Sequence, residues 1–272
     1  MTTPTHHVDA VVTCFTIIDA LARGEQLGVT ELAKRTGVAK SSVYKHLDTL
    51  RAAGYVTKTE TGSYGLSLRW FEAGTAVRER QEVYQLAIED LDRLASRTGE
   101  TVSLVVEEDG DAVYIYQSTE SDTVDAPVTV GERFPAPLSV GGKALLSHRP
   151  RAEIEALMQV NDLADEVDEF LTELEAIRSQ RMVIERDSPL QGTFSAGEFE
   201  GHRHVVDHAE PYRDLHSVAV PIRDPGDYGV AAIEVSGTES TFYGRRLEEE
   251  IASLLVRTGR DIETELIQHS GG

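Results

Sequence analysis

A chain of 272 residues, 40% of them hydrophobic, is long enough for two modest domains, each with its own core. Its 47 acidic and 26 basic residues give a formal charge of −21. The single cysteine, Cys14, excludes an intrachain disulfide and a cysteine-rich metal site. No apolar run approaches the ~18 residues that span a bilayer, and "MTTPTHHVDA" lacks a secretory pattern. A soluble cytoplasmic protein is expected, without a membrane partner. Only five residues are lysine, a composition that suits a protein adapted to high salt.

Val8 to Arg23 forms the first predicted helix. Val8, Val11, Val12, Phe15, Ile18 and Leu21 recur at three- and four-residue spacing, with Cys14 among them as a small core residue. In "GVTELAKRTG", Thr30 is expected to cap a short second helix, with Leu32 and Ala33 inward and Gly37 its stop. A third helix runs from about Lys40 to Ala53, ends at Gly54, and buries Val43, Leu47 and Leu50. "YVTKTETGSYGLS" reads as a β-hairpin. Three helices with a tight second turn, followed by a hairpin, predict a winged helix-turn-helix.

Charge is unevenly distributed. Residues 1–79 hold nine basic and eight acidic residues; the remaining 193 hold 17 and 39. Between Lys34 and Lys58 there are six basic residues and one acid, Asp48. The outward face of the third helix can enter a DNA major groove, where hydroxyls and cations meet phosphates and base edges. The candidate DNA contacts are Lys40, Ser41, Ser42, Tyr44, Lys45 and Arg51 on that helix and Lys58 on the hairpin. Such a face is more often merely solvated; the charge reversal within an acidic chain argues for DNA.

Leu68 to Arg80 reads as a connecting helix with Trp70 as its apolar anchor, and Val83 to Arg97 as an amphipathic helix stopped by Gly99. "TVSLVVEE" and "AVYIYQST" flank a "DGDA" turn, a hairpin signal. Residues 151–180 are helical, a strand lies near Val183, "SVAVPIRD" and "YGVAAIEVSG" are strands, and Arg245 to Ile267 is a final helix. The fold class expected is α+β, around an antiparallel sheet. The domains expected are a DNA-binding domain over 1–67, a linker helix over 68–80 and a second domain over 81–272.

Along nearly its whole length the sequence resembles the IclR family of transcription regulators. The resemblance rests on "TELAKRTGVAKSSVYKHLDTLRAAGYV", "YGLSLRWFEAG", "GERFPAPLSVGGKALL", "LHSVAVPIRD" and "AAIEVSG" in that order. It implies a GAF-like effector-binding second domain, homodimers or tetramers on near-palindromic operators, and control of catabolic genes by a small-molecule effector. It also implies an effector site formed by the turn at Val140, Gly141 and Gly142, by Ser217, and by Glu234 and Ser236. That turn would present backbone amides to an anionic group. Two departures stand out: Glu234 lies where some members carry a small hydroxyl residue, and residues 193–214 look like an insertion.

No catalytic constellation is evident and no cofactor is expected. "GGKAL" lacks the first Walker glycine and has Ala144 where Ser or Thr would hold magnesium. "QGTFSAG" spaces Gly192 and Ser195 too widely for a nucleophile elbow. His202, His204 and His208 could hold a transition metal, which leaves a metal-responsive regulator as an alternative; solvated histidines on a polar insertion are the simpler reading. A metabolite-binding protein whose winged helix contacts only protein is a further alternative.

Overall fold

Helices α1 (Asp9–Ala22), α2 (Val29–Thr36) and α3 (Lys40–Ala52), the hairpin β1 (Val56–Lys58) and β2 (Tyr64–Leu66), and helix α4 (Arg69–Arg78) make up the first of two units, residues 1–80. The computed structural model describes residues 8–23, 26–120, 128–160, 163–185, 215–238, 242 and 246–270. The expected insertion at 193–214 and its histidines lie outside the described residues.

The first unit is organised by the apolar stripe of α3. Val43, Leu47 and Leu50 bury against Ile17, Ile18 and Leu21 of α1, Leu32 of α2, and Val56 and Tyr64 of the hairpin. Gly37 ends α2 in the left-handed region at φ +70°, where a side chain would be strained, and leaves a three-residue turn before α3. The strands are antiparallel, and Leu27 adds a bridge to Tyr64, so the wing is tied back to the α1–α2 connection. The N-cap of α2 is Gly28; Thr30 sits inside the first turn and makes no cap, because the helix starts two residues earlier than the threonine rule suggests. Helix α4 is anchored rather than free. The Arg69 Nη1 donates to Ala53 O at 2.8 Å, and the Trp70 Nε1 donates to Tyr55 O at 3.0 Å with the rings 5.0 Å apart.

The second unit, residues 81–272, contains α5 (Glu82–Thr98), β3 (Thr101–Glu108), β4 (Asp111–Ser118), β5 (Arg133–Pro135), α6 (Val140–Leu146), α7 (Arg151–Val160), α8 (Val167–Gln180), β6 (Val183–Glu185), β7 (Leu215–Arg223), β8 (Gly229–Thr238) and α9 (Ala252–Ser270). A π-helical turn over Arg246–Ile251 leads into α9. Six strands form one antiparallel sheet in the order β5-β4-β3-β8-β7-β6. Successive strand residues point to opposite faces. Val102, Leu104, Val218, Val220, Ile233 and Val235 pack with α5 and α9; Val105, Ala112, Ala219, Ala232 and Val183 pack with α6, α7 and α8.

The β3–β4 turn has Asp109 and Gly110 both at positive φ, 54° and 93°, as a tight two-residue hairpin of this twist needs. Further along, the pairing slips: Leu104 faces Tyr116, but Val105 faces Tyr114. Tyr114 shares the α6 face with Ala112 by ordinary alternation, and the extra residue beyond it turns Tyr116 to the α5 side.

Candidate DNA interface and effector site

On α3, Lys40, Ser41, Tyr44, Lys45 and Arg51 are exposed and Ser42 is half-buried; Ser41 and Lys45 lie opposite the buried stripe, Tyr44 beside it, and Lys40 and Arg51 near its two ends. Tyr44 is 54% exposed, unusual for a ring of that size unless it is kept for contact. Lys58 projects from the wing, its ammonium 5.2 Å from the centre of the Tyr64 ring. Arg35, by contrast, is bound to Glu31 at 3.1 Å within α2. The unit thus presents a helix with an uncovered Ser/Tyr/Lys/Arg face and a wing bearing one more cation.

In the second unit, the sheet face under α6 changes character toward one end. Thr101, Ser103, Ser217, Glu234 and Ser236 are all at least 95% buried, where the rest of the face is aliphatic. Register brings them together: Ser217 and Thr101 both pair with Ser236, and Ser103 pairs with Glu234. Glu234 is the centre. One oxygen accepts from the Tyr114 hydroxyl at 2.9 Å and from the Gly141 amide at 3.1 Å. Burial pushes its carboxyl above the ordinary range, and the donors Tyr114, Ser217 and Gly141 oppose that only in part. Beside it, Lys143 bridges Glu185 at 2.7 Å and Glu173 at 2.9 Å, pinning α6 to β6 and α8. Burial works against the ammonium, but the two carboxylates outweigh it and raise its pKa. Burial raises Glu185 as well, although Lys143 draws it down.

The expected effector residues are brought together only in part. Gly141, Ser217 and Glu234 come together, Ser236 is one register step away, and Val140 is buried beside them. The amides of the turn are not open to an incoming anion. Gly141 N–H is held by Glu234, and Gly142 N–H donates to Ser139 Oγ at 3.1 Å, the N-cap of α6. Gly142 has a packing role instead: a Cβ there would lie 2.2 Å from Ala136 O. Tyr114, Thr101, Ser103 and Glu185 were not anticipated. The hydroxyls of Thr101 and Ser103 were visible as breaks in the apolar "TVSLVV" run; Tyr114 follows from the regular register counted from the "DGDA" turn. Among the described residues no group of three or more His, Cys, Asp or Glu side chains is placed to hold a metal ion. Nor is any described helix long and apolar enough to cross a membrane.

A winged helix-turn-helix with an uncovered cationic helix, followed in one chain by a sheet domain with a buried polar centre, defines the class of DNA-binding transcription regulators that carry their own sensory domain. Residues 10–60 match the IclR helix-turn-helix domain, and residues 75–197 match the bacterial transcriptional regulator IclR C-terminal domain. The chain belongs to the IclR family: it is a DNA-binding transcription regulator, not an enzyme. It is 28% identical over 263 residues to the HTH-type transcriptional regulator KdgR of Escherichia coli, covering 96% of this chain and 94% of that one. Its fold matches Thermotoga maritima IclR with a TM-score of 0.72 at 21% identity, over 96% of this chain and 99% of that one. It also matches an IclR homologue from Microbacterium hydrocarbonoxydans complexed with 4-hydroxybenzoate, with a TM-score of 0.71 at 17% identity, over 94% and 98%.

Proposed function

We propose that this regulator binds operator DNA as a cytoplasmic homodimer, through α3 and the wing, and responds to a small polar metabolite held at the polar end of the α6 face. The DNA contacts are Lys40, Ser41, Ser42, Tyr44, Lys45, Arg51 and Lys58. The effector contacts are Ser217, Glu234 and Ser236, extended by Tyr114 and Ser103, with Val140, Gly141 and Gly142 forming the closed turn behind them. The observation that carries the effector reading is the set of buried hydroxyls around Glu234, because a sheet face with only a structural role would be aliphatic there. Catabolic genes are the natural targets, since a metabolite sensor of this kind acts on the enzymes that consume its ligand.

Glu234 sets the ligand class. Its carboxylate already engages the Gly141 amide and the Tyr114 hydroxyl, which could otherwise receive an effector carboxylate. With those two donors taken, an incoming carboxylate would lose the strongest anion contacts on that side. Hydroxyl or amine groups suit that side, so a polyhydroxy compound, a sugar acid whose carboxylate lies away from Glu234, or an amino sugar fits better than a dicarboxylate.

The dimer is supported by apolar side chains that the first unit leaves uncovered: Val8, Val11, Val12 and Phe15 on α1, Leu68 just before α4, and Phe71 and Val77 on it. The test is calorimetry on the full-length protein with polyols, sugar acids and amino sugars, paired with retardation of a labelled duplex. Saturable binding that Ser217→Ala and Ser236→Ala weaken, with altered DNA retardation when ligand is present, is the expected result. Ligand binding unaffected by both variants removes this effector site, and a duplex not retarded at any salt concentration removes the DNA reading.

A further inference from the structure

A cleft of about 20 Å³ opens in the second unit near the end of β7 remote from Ser217. Its lining on β7 runs from Val220 to Arg223, about 10 to 20 Å along the strand from Ser217, and includes none of the proposed effector contacts. It is lined by His148 after α6, Arg181 at the end of α8, Arg223 on β7, and Arg260 and Glu263 on α9. A volume of that order holds about one water-sized group, such as a single oxygen of a larger anion.

Two of these side chains, Arg181 and Arg260, are uncommitted among the described residues, and a third, His148, has only a loose contact with Asp227. His148 is 4% exposed at its side chain; its Nδ1 lies 3.3 Å from Asp227 Oδ1 without hydrogen-bond alignment, and neither ring nitrogen has a hydrogen-bond partner among the described residues. A buried ring nitrogen is costly to leave without a partner. Arg181 and Arg260 are exposed at the mouth and make no ion pair among the described residues. The neighbouring cations are already engaged. Arg223 holds Glu263 through Nε at 2.6 Å and Nη2 at 2.9 Å and Asp227 through Nη1 at 2.8 Å, and Arg178 holds Asp227 at 2.7 Å. Residues 81–272 carry 39 acidic and 16 basic residues, so two guanidinium groups without an ion pair among the described residues, beside a buried imidazole whose ring nitrogens make no hydrogen bond to them, are contrary to the local composition.

We propose that this cleft binds one phosphate group, either inorganic phosphate or the phosphate of a phosphorylated metabolite. One oxygen enters the recess and accepts from the His148 Nε2–H; the others meet Arg181 and Arg260. A tetrahedral anion can reach donors on three separate elements at once, which a planar carboxylate with two oxygens cannot, and guanidinium groups pair well with phosphate. The site is separate from the effector contacts, so Ser217→Ala retains phosphate binding, and failure of one reading leaves the other standing.

The test titrates the full-length protein with inorganic phosphate and, separately, with a hexose phosphate, by calorimetry at fixed ionic strength. Arg181 has φ +62°, a conformation that glycine adopts more easily, so Arg181→Gly removes the cation while keeping or raising the melting temperature. Arg181→Gly and Arg260→Gln should each weaken binding about tenfold or more. Arg257→Gln, on the same helix but outside the cleft, should leave it unchanged. The ring ¹⁵N resonances of His148 should move on saturation. Tighter binding of the hexose phosphate identifies a metabolite; equal or tighter binding of inorganic phosphate identifies the free ion. No saturable binding of either anion, or equal affinity in Arg181→Gly, Arg260→Gln and wild type, overturns the proposal.

Discussion

Replacing Lys45 by alanine should change the salt dependence of DNA binding by an amount that counts the arms on the duplex. Lys40, Lys45, Arg51 and Lys58 are exposed, and none has an ion-pair partner among the described residues. If each neutralises one phosphate, two arms release counterions from about eight sites. The logarithm of affinity then falls against the logarithm of salt with a slope of about −7. Lys45→Ala removes one contact per arm, which flattens the slope by about 2 for a dimer and about 1 for a single arm. The assay is retardation or anisotropy with a fixed duplex at four or five potassium chloride concentrations. Arg51→Ala should behave in the same way, and the double variant should flatten the slope by about the sum, since the two residues lie nearly two turns apart on α3. The net acidity of the chain adds a non-local repulsion, which shifts all curves together without altering the differences. If both single variants keep the wild-type slope, α3 does not lie on the phosphate backbone.

The Glu234 carboxyl is held above its ordinary value, so the folded state favours its protonated form. The stability this confers is complete below the unfolded carboxylate value of about 4.3 and is lost as pH rises through the higher folded value. Urea titrations across pH should show the stability of Glu234→Gln gaining on wild type through that window; parallel curves would refute it. Phe71→Asp on α4 and Phe15→Asp on α1 put charge on uncovered apolar positions and should shift the mass measured by light scattering from dimer to monomer without loss of helical circular dichroism. A persistent dimer in both variants places the interface elsewhere. Ser139→Ala removes the cap on Gly142 N–H and should cost about 0.5–2 kcal/mol of second-unit stability by denaturant unfolding. Gly142→Ala should cost about 1–3 kcal/mol, because its Cβ meets a backbone carbonyl that cannot move aside like a side-chain tip.

The winged helix was legible because each of its signals is local: the α3 stripe, the Gly37 stop, and turn residues between two short strands. The α1 stripe was legible only as a pattern. Periodicity marks Val8, Val11, Val12 and Phe15 as a face that avoids water, but it cannot say whether that face meets the chain's own core. Here Ile17, Ile18 and Leu21 do so, and the other four do not. Helix boundaries moved by a residue or so, and the final helix begins with a π-helical turn that no residue pattern announced. The polar centre of the second domain was half legible. Ser217, Glu234 and Ser236 followed from the family resemblance, while their apposition depends on strand register. Tyr114 was reachable by counting register from the hairpin turn, whereas the face of Tyr116 required the one-residue slip beyond Val105. The engagement of the Gly141 amide by Glu234 joins residues 93 positions apart and has no local signature.

The anchoring of α4 has a mechanical consequence. Arg69 grips the last turn of the reading helix at Ala53, and Trp70 grips Tyr55 just beyond it. The tilt of α4 and the tilt of α3 are therefore not independent coordinates; one cannot rotate without dragging the other. Helix α4 runs on to Arg78, two residues short of where the second unit begins. In the proposed dimer, a twist delivered near Arg80 would reach α3 through these two bonds, with α4 as the lever. Operator half-sites sit about 34 Å apart, a spacing that two reading helices must match together. A few degrees at the far end of each lever are enough to bring the pair into or out of step with the groove.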